Sequence, residues 1–250
     1  TYLLGIGEKG RLQLEIEVRG SSAHASTPWQ GNNALFGLSE VVRRIEAYEA
    51  ERDTSTSLFD HLSTFAIEDK PSPENIDQII ADNEESQPRF ASIMKALSRM
   101  TITPTMIQGG IKSNSVPESV KLTCDVRTLP HQDEAYVRQE LGNILDGIPG
   151  VEIDIDYMSI PNASPFETEF AQRIQISTAN ALNRDDIQWV PSLSPGFTDS
   201  RFTRNLGTTT YGMVGSHPDD DPMISFIHGT NESVGIRSLI SGSRIMLALA

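Results

Sequence analysis

His228 lies in FIHGTNESV, residues 226–234, between a short apolar run and the start of a helical pattern. An imidazole held by rigid elements on both sides can offer a neutral nitrogen to zinc while a neighbouring carbonyl or carboxylate fixes its tautomer. On spacing alone, a structural histidine near a helix cap reads equally well. His24 lies in GSSAHAS, residues 20–26, whose small side chains leave the ring accessible, although an isolated loop histidine is more often a plain surface residue. Asn114, in IKSNSVP, sits where a turn between two strands would be, a common place for asparagine. Arg127 ends a strand pattern in CDVRTLP; such an arginine is ordinarily a solvated charge, but its planar fork also suits a carboxylate. Residues 217–221, HPDDD, are rich in potential ligands, yet the proline and the run of like charges fit a solvated acidic loop better.

The elements that must position these residues follow from hydrophobic periodicity. Residues 11–19, RLQLEIEVR, alternate apolar and polar as a half-buried strand does. A Gly/Ser/Pro/Asn-rich loop over 20–33 leads to a helix over 34–51, with Leu35, Leu38, Val41, Val42 and Ile45 at helical spacing. Residues 52–100 are broken by Pro71, Pro73 and Pro88 into short helices over 74–81 and 90–100, and read as an insertion packed beside the core. Strands over 101–108 and 119–127 form an antiparallel pair, a helix over 133–145 is capped by Asp133, and VEIDIDY, 151–157, is a further strand. The order βαββαβ over 11–160 predicts a ferredoxin-like α+β unit, with two helices covering one face of a four-stranded antiparallel sheet. Beyond Pro161 come a helix over 167–182, an apolar stretch over 187–193, a loop over 194–199, a strand over 208–214 and a helix over 231–250 opened by Asn231. These are α/β parts without a complete sheet. The expected division is 1–9, 10–161 with the insertion, and 162–250.

Composition narrows the partners. Hydrophobic residues make up 38% and charged residues 22%, a balance that supports a packed core. The net charge of −14 repels phosphate backbones and anionic lipid, so neither nucleic acid nor membrane is expected as a partner. The single cysteine, Cys124, has no internal disulfide partner, which fits a cytoplasmic location without establishing it.

Four segments then combine. GEKGRLQLEIEVRGSSAHAS, GGIKSNSVPESVKLTCDVR, PGFTDSRF and IHGTNESV occur in an order and relation that resembles the zinc metallopeptidase and amidohydrolase family of aminoacylase, glutamate carboxypeptidase, succinyl-diaminopimelate desuccinylase and carboxypeptidase S. The resemblance spans nearly the whole chain and is vague over 52–100. It implies a dimerisation lid followed by the C-terminal part of an α/β zinc-peptidase catalytic domain, and a homodimer formed through the lid. It implies two zinc ions, with cobalt or manganese possible, that activate a water to cleave the amide of an N-acyl amino acid or of a peptide with a free carboxylate. By matching position, His228 becomes a metal ligand. His24 becomes the lid histidine that stabilises the oxyanion, typically in the partner subunit's site. Asn114 and Arg127 become contacts to the substrate carboxylate and polar groups, and Thr198 and Asp199 fall in the loop lining the substrate. The family's HxD motif, bridging Asp, Glu-Glu pair and further acidic ligand would all precede Thr1. This polypeptide alone is therefore expected to be incomplete and inactive, and a non-catalytic dimerising module is the alternative.

Overall fold

The computed structural model describes residues 1–213, 215, 217, 220 and 229–250. Strand β1 (Tyr2–Glu8) is joined by the single residue Lys9 to β2 (Gly10–Arg19). After a loop containing a 3-10 turn at Pro28–Gln30 comes α1 (Ala34–Glu46), whose first turn is capped by Asn33 accepting from the Leu35 amide at 3.0 Å. Residues Ser57–Phe65 form 3-10 turns, followed by α2 (Ile76–Glu84) and α3 (Pro88–Leu97). Then come β3 (Thr101–Gly109), β4 (Ser119–Thr128), α4 (Glu134–Leu145) and β5 (Val151–Ser159). The remainder is β6 (Asn162–Ala163), α5 (Glu169–Leu182), β7 (Trp189–Ser194), α6 (Ser200–Asn205) and α7 (Ile236–Leu249).

The larger sheet has the order β3-β4-β2-β5 with every neighbouring pair antiparallel, the split βαβ arrangement expected from the sequence. Leu12, Leu14, Ile16 and Val18 of β2 and Val120, Leu122, Cys124 and Val126 of β4 face one core, closed by Leu38, Val41 and Ile45 of α1 and Val137, Leu141 and Ile144 of α4. The opposite face carries charge, including a Glu15–Lys121 pair and an Arg11–Asp125 pair. Burial pushes the Cys124 thiol up to about 11, so it serves as an unreactive core residue. The first turn of α4 is held by Asp133 accepting from the Tyr136 amide at 2.9 Å. Asp133→Ala is expected to lower stability by about 1 kcal/mol in urea unfolding, with the m-value unchanged.

The smaller sheet, β6-β1-β7, pairs β1 with β7 in parallel and with β6 antiparallel. Its core joins Leu4, Ile6, Val190 and Leu193 to Ala171 and Ile174 of α5, and also to Leu58, Phe59, Leu62, Ile76, Ile79, Ile80, Ala91, Met94 and Leu97. Apart from Met100, which joins the core of the four-stranded sheet, the buried apolar side chains of residues 52–100 thus fill the core of the three-stranded one.

Three details depart from the sequence reading. Residues 208–213 form no strand; Gly212 makes only an isolated bridge to Gly5, with a bond of 2.7 Å in each direction. The last helix begins at Ile236 rather than at Asn231, because Asn231 is left-handed (φ 62°) and Gly235 takes the cap position in extended conformation. The first helix stops at Glu46 instead of running to 51, its basic last turn carrying Arg43 and Arg44 against Glu40. Among the described residues no helix is long and apolar enough to cross a membrane.

Candidate active-site surfaces

The residues picked from sequence fall into two groups at opposite ends of β2. Arg19 pairs with Ser119 at one end and Arg11 with Arg127 at the other. Eight residue steps of an extended strand separate the ends by about 26 Å.

At the far end, two loops are zipped together. The Ala25 amide donates to the Asn114 carbonyl at 3.0 Å, the Val116 amide donates to the Ala23 carbonyl at 2.9 Å, and His24 bridges Ser115. Close approach makes this possible at Gly20, where a Cβ would lie 2.1 Å from the Asn32 carbonyl oxygen. His24 and Asn114 are therefore brought together, both exposed. The Ser26 amide donates to His24 Nδ1 at 3.2 Å, and the Ser26 hydroxyl lies 2.7 Å from the same nitrogen. A backbone N–H can only donate, so Nδ1 is the acceptor nitrogen and the proton of the neutral ring sits on Nε2. The ring presents an N–H donor at the surface, the form that stabilising an oxyanion requires.

At the near end, the loop after β7 meets both sheets. Arg127 is held by its neighbour Asp125, Nε on Oδ1 and Nη2 on Oδ2 at 3.2 Å, while Arg11 donates to Asp125 Oδ2 at 2.9 Å. Both guanidinium groups flank the Phe197 ring, at 4.8 Å for Arg11 and 5.4 Å for Arg127. Arg127 Nη1 is buried without a protein partner. The Asp125 carboxyl is held below its ordinary range by Arg127 and Arg11, which outweigh burial, the largest influence and one acting in the opposite direction. The Thr198 hydroxyl donates to Glu8 Oε1, and Glu8 also faces Arg204, with Nη1 3.6 Å from Oε1. Asp199 is exposed at the start of α6 and caps nothing with its side chain. Arg127, Thr198 and Asp199 thus belong to one surface, and His24 and Asn114 to another.

Glu8, Lys9, Arg11, Asp125, Phe197 and Arg201 were not singled out from sequence. Lys9 is fully buried and its ammonium donates at 2.7 Å to the carbonyls of Ala96, in the last turn of α3, and of Arg99, just past its end. Burial, then the charges of Arg127 and Arg99, push its pKa down to about 7. A charged pair at a strand junction, as in Glu8-Lys9, is the only local hint.

His228 lies outside the described residues, as do Pro218, Asp219 and Asp221 of the acidic loop. Among the described residues no three His, Cys, Asp or Glu side chains converge as metal ligands do. The described part of the chain therefore does not fit a zinc pair.

The family model for the peptidase dimerisation domain, M20_dimer, matches residues 6–150, more than half of the chain, and the chain belongs to that family. It is 24% identical over 245 residues to the human N-fatty-acyl-amino acid synthase/hydrolase PM20D1, covering 94% of this chain and 48% of that protein. It is likewise 24% identical over 275 residues to carboxypeptidase S of Saccharomyces cerevisiae, covering 94% and 47%. The structure of the dipeptidase Dug1p from Saccharomyces cerevisiae superposes with a TM-score of 0.66 at 13% identity, covering 99% of this chain and 55% of that one, which establishes the shared fold. The chain spans about half the length of the curated relatives it matches over most of its own length.

Proposed function

We propose that this chain is the dimerising, substrate-closing part of a metal-dependent amidohydrolase acting on an N-acyl amino acid or a peptide with a free carboxylate, and that its His24 serves a second copy's site. The observation that carries the reading is the separation of His24 from Arg127, Thr198 and Asp199 along β2. A histidine with its Nε2–H turned into a ready donor, but about 26 Å of strand away from the loop that would line the substrate, needs another chain to be useful. In this reading the His24 Nε2–H stabilises the oxyanion that develops on the amide carbonyl. Asn114, beside it, offers an amide to substrate polar groups. Arg127 Nη1, the guanidinium nitrogen without a protein acceptor, is left for the substrate carboxylate, and Thr198 and Asp199 border that position. Two zinc ions belong to the proposal for the whole protein, with His228 as one ligand. The described residues contribute donors and clamps.

The homodimer we propose pairs through β3, which among the described residues is an edge strand with β4 as its one neighbour, and whose residues 103–109 are exposed. Met106 and Ile107 present large apolar side chains on it and Ile111 does so just beyond it, and Trp29 of the 3-10 turn with Leu35 and Phe36 of the first turn of α1 do so toward the same end of the sheet. Pro104 and the irregularity between Pro104 and Met106 interrupt the ladder, so residues 106–109 are the part suited to pair with a copy of themselves. Ile107→Lys is expected to shift the protein from dimer to monomer in sedimentation equilibrium; a dimer of unchanged affinity would refute pairing at β3.

The absence of a three-ligand group among the described residues favours a second reading for this polypeptide by itself, a dimerising module without catalysis. Assaying the full-length protein, loaded with zinc, on N-acetyl amino acids and dipeptides decides between them: hydrolysis supports the enzyme, and none with any such substrate supports the module.

A further inference from the structure

Phe197 occupies a position that neither family membership nor the proposed chemistry explains. Its ring is flanked by three guanidinium groups, Arg11 at 4.8 Å, Arg127 at 5.4 Å and Arg201 at 4.5 Å from the centroid. Arg11 and Arg127 are cross-strand partners on β2 and β4 of the larger sheet, whereas Phe197 and Arg201 belong to the loop and short helix that follow β7 of the smaller one. Arg201 is stacked in turn on Phe202, at 4.4 Å. Three like charges converge here with Asp125 pairing two of them, an arrangement that repels itself unless something of opposite polarity stands between. The negative face of an aromatic ring does that. From its other side the same loop is tied down by the Thr198 hydroxyl on the buried Glu8 carboxylate, at the end of β1.

We infer that Phe197 is a positioning residue, an aromatic clasp that fixes the four-stranded sheet against the loop over 195–199 by seating the guanidiniums of Arg11 and Arg127 on a ring anchored through Thr198 to Glu8. The clasp is a property of the π face and not of bulk, so a side chain of similar size without a ring does not replace it. Its existence does not depend on the hydrolase reading, since it sets the relation of the two sheets whatever reaction the protein performs.

The test is hydrogen–deuterium exchange on the full-length protein, following the peptides that cover residues 9–13, 124–128 and 195–202. Phe197→Leu is expected to speed exchange about tenfold or more in all three, and Phe197→Trp to restore the wild-type rates. If Phe197→Leu does not fold, the Arg11→Met variant reports the same contact from the other side and is expected to accelerate residues 195–202. Wild-type exchange in Phe197→Leu, equal acceleration by Leu and Trp, or acceleration confined to 195–202 with 9–13 and 124–128 unchanged would each overturn the clasp. Exchange reads the contact itself, so its outcome stands apart from any change in turnover that moving Arg127, the proposed carboxylate contact, would bring.

Discussion

Turnover of the full-length protein is expected to fall roughly a hundredfold in the His24→Ala variant, the loss typical of removing one oxyanion donor, with metal content unchanged. The expectation rests on the tautomer. The Ser26 amide fixes Nδ1 as an acceptor, so the ring offers Nε2–H to a partner without any reorganisation. Because His24 lies at the opposite end of β2 from Arg127, the two residues are expected to serve different sites within a dimer. Co-expressing His24→Ala with Arg127→Met chains tests this directly. Each homodimer lacks an essential group in both sites, but each mixed dimer has one intact site, so about a quarter of the wild-type sites should recover. If activity in the mixture stays at the level of the separate variants, His24 acts within its own chain and the proposed arrangement is wrong.

The second large effect concerns Lys9. Its folded-state pKa of about 7 lies well below the ordinary lysine value of 10.5. Between these two pH values the unfolded chain carries a proton that the folded chain has released, so raising the pH across this window stabilises the fold. Below about pH 7 both states are protonated and the penalty of burying the ammonium is constant. The gain approaches, at most, ~1.4 kcal/mol per pH unit for this one group. Lys9→Met removes it, so the difference in unfolding free energy between wild type and Lys9→Met should change in favour of the wild type from pH 7 to 10. At pH 7 the variant also strands the Ala96 and Arg99 carbonyls, at a cost of about 1–3 kcal/mol for each if water does not reach them. Parallel pH profiles for the two proteins would show that Lys9 keeps an ordinary pKa in the fold.

The larger sheet was legible because its two central strands state their own burial: RLQLEIEVR and SVKLTCDVR alternate, and alternation is a local consequence of the pleat. The α4 cap was legible for the same reason, Asp133 and Tyr136 being three residues apart. Lys9 was not, since the carbonyls that receive its ammonium are 87 and 90 residues away and nothing near Lys9 announces them. The surroundings of Phe197 were hidden likewise, because Arg11, Arg127 and Arg201 come from three separate segments and each alone reads as a solvated charge. Asn231 is a good capping residue by type, but its left-handed backbone is not that of a cap, and Gly235 stands at the true start of the helix. Nothing in the sequence brings His24 and Asn114 together, since the resemblance groups Asn114 with Arg127; the hydrogen bonds between their loops do so.

Residues 47–56 and 98–100 carry the chain to and from the helices packed on the smaller sheet, while two other backbone passages between the sheets lie abreast, Lys9 between β1 and β2, and Ile160 with Pro161 between β5 and β6. They run side by side, for a Cβ on Gly10 would fall 2.8 Å from Pro161 Cδ. Two short tethers abreast resist twisting about the long axis of either, and the two further passages, with Lys9 bonded to the Ala96 and Arg99 carbonyls, brace the same junction. A histidine carried some 26 Å out along β2 converts a few degrees of play at that junction into an ångström or more at its tip.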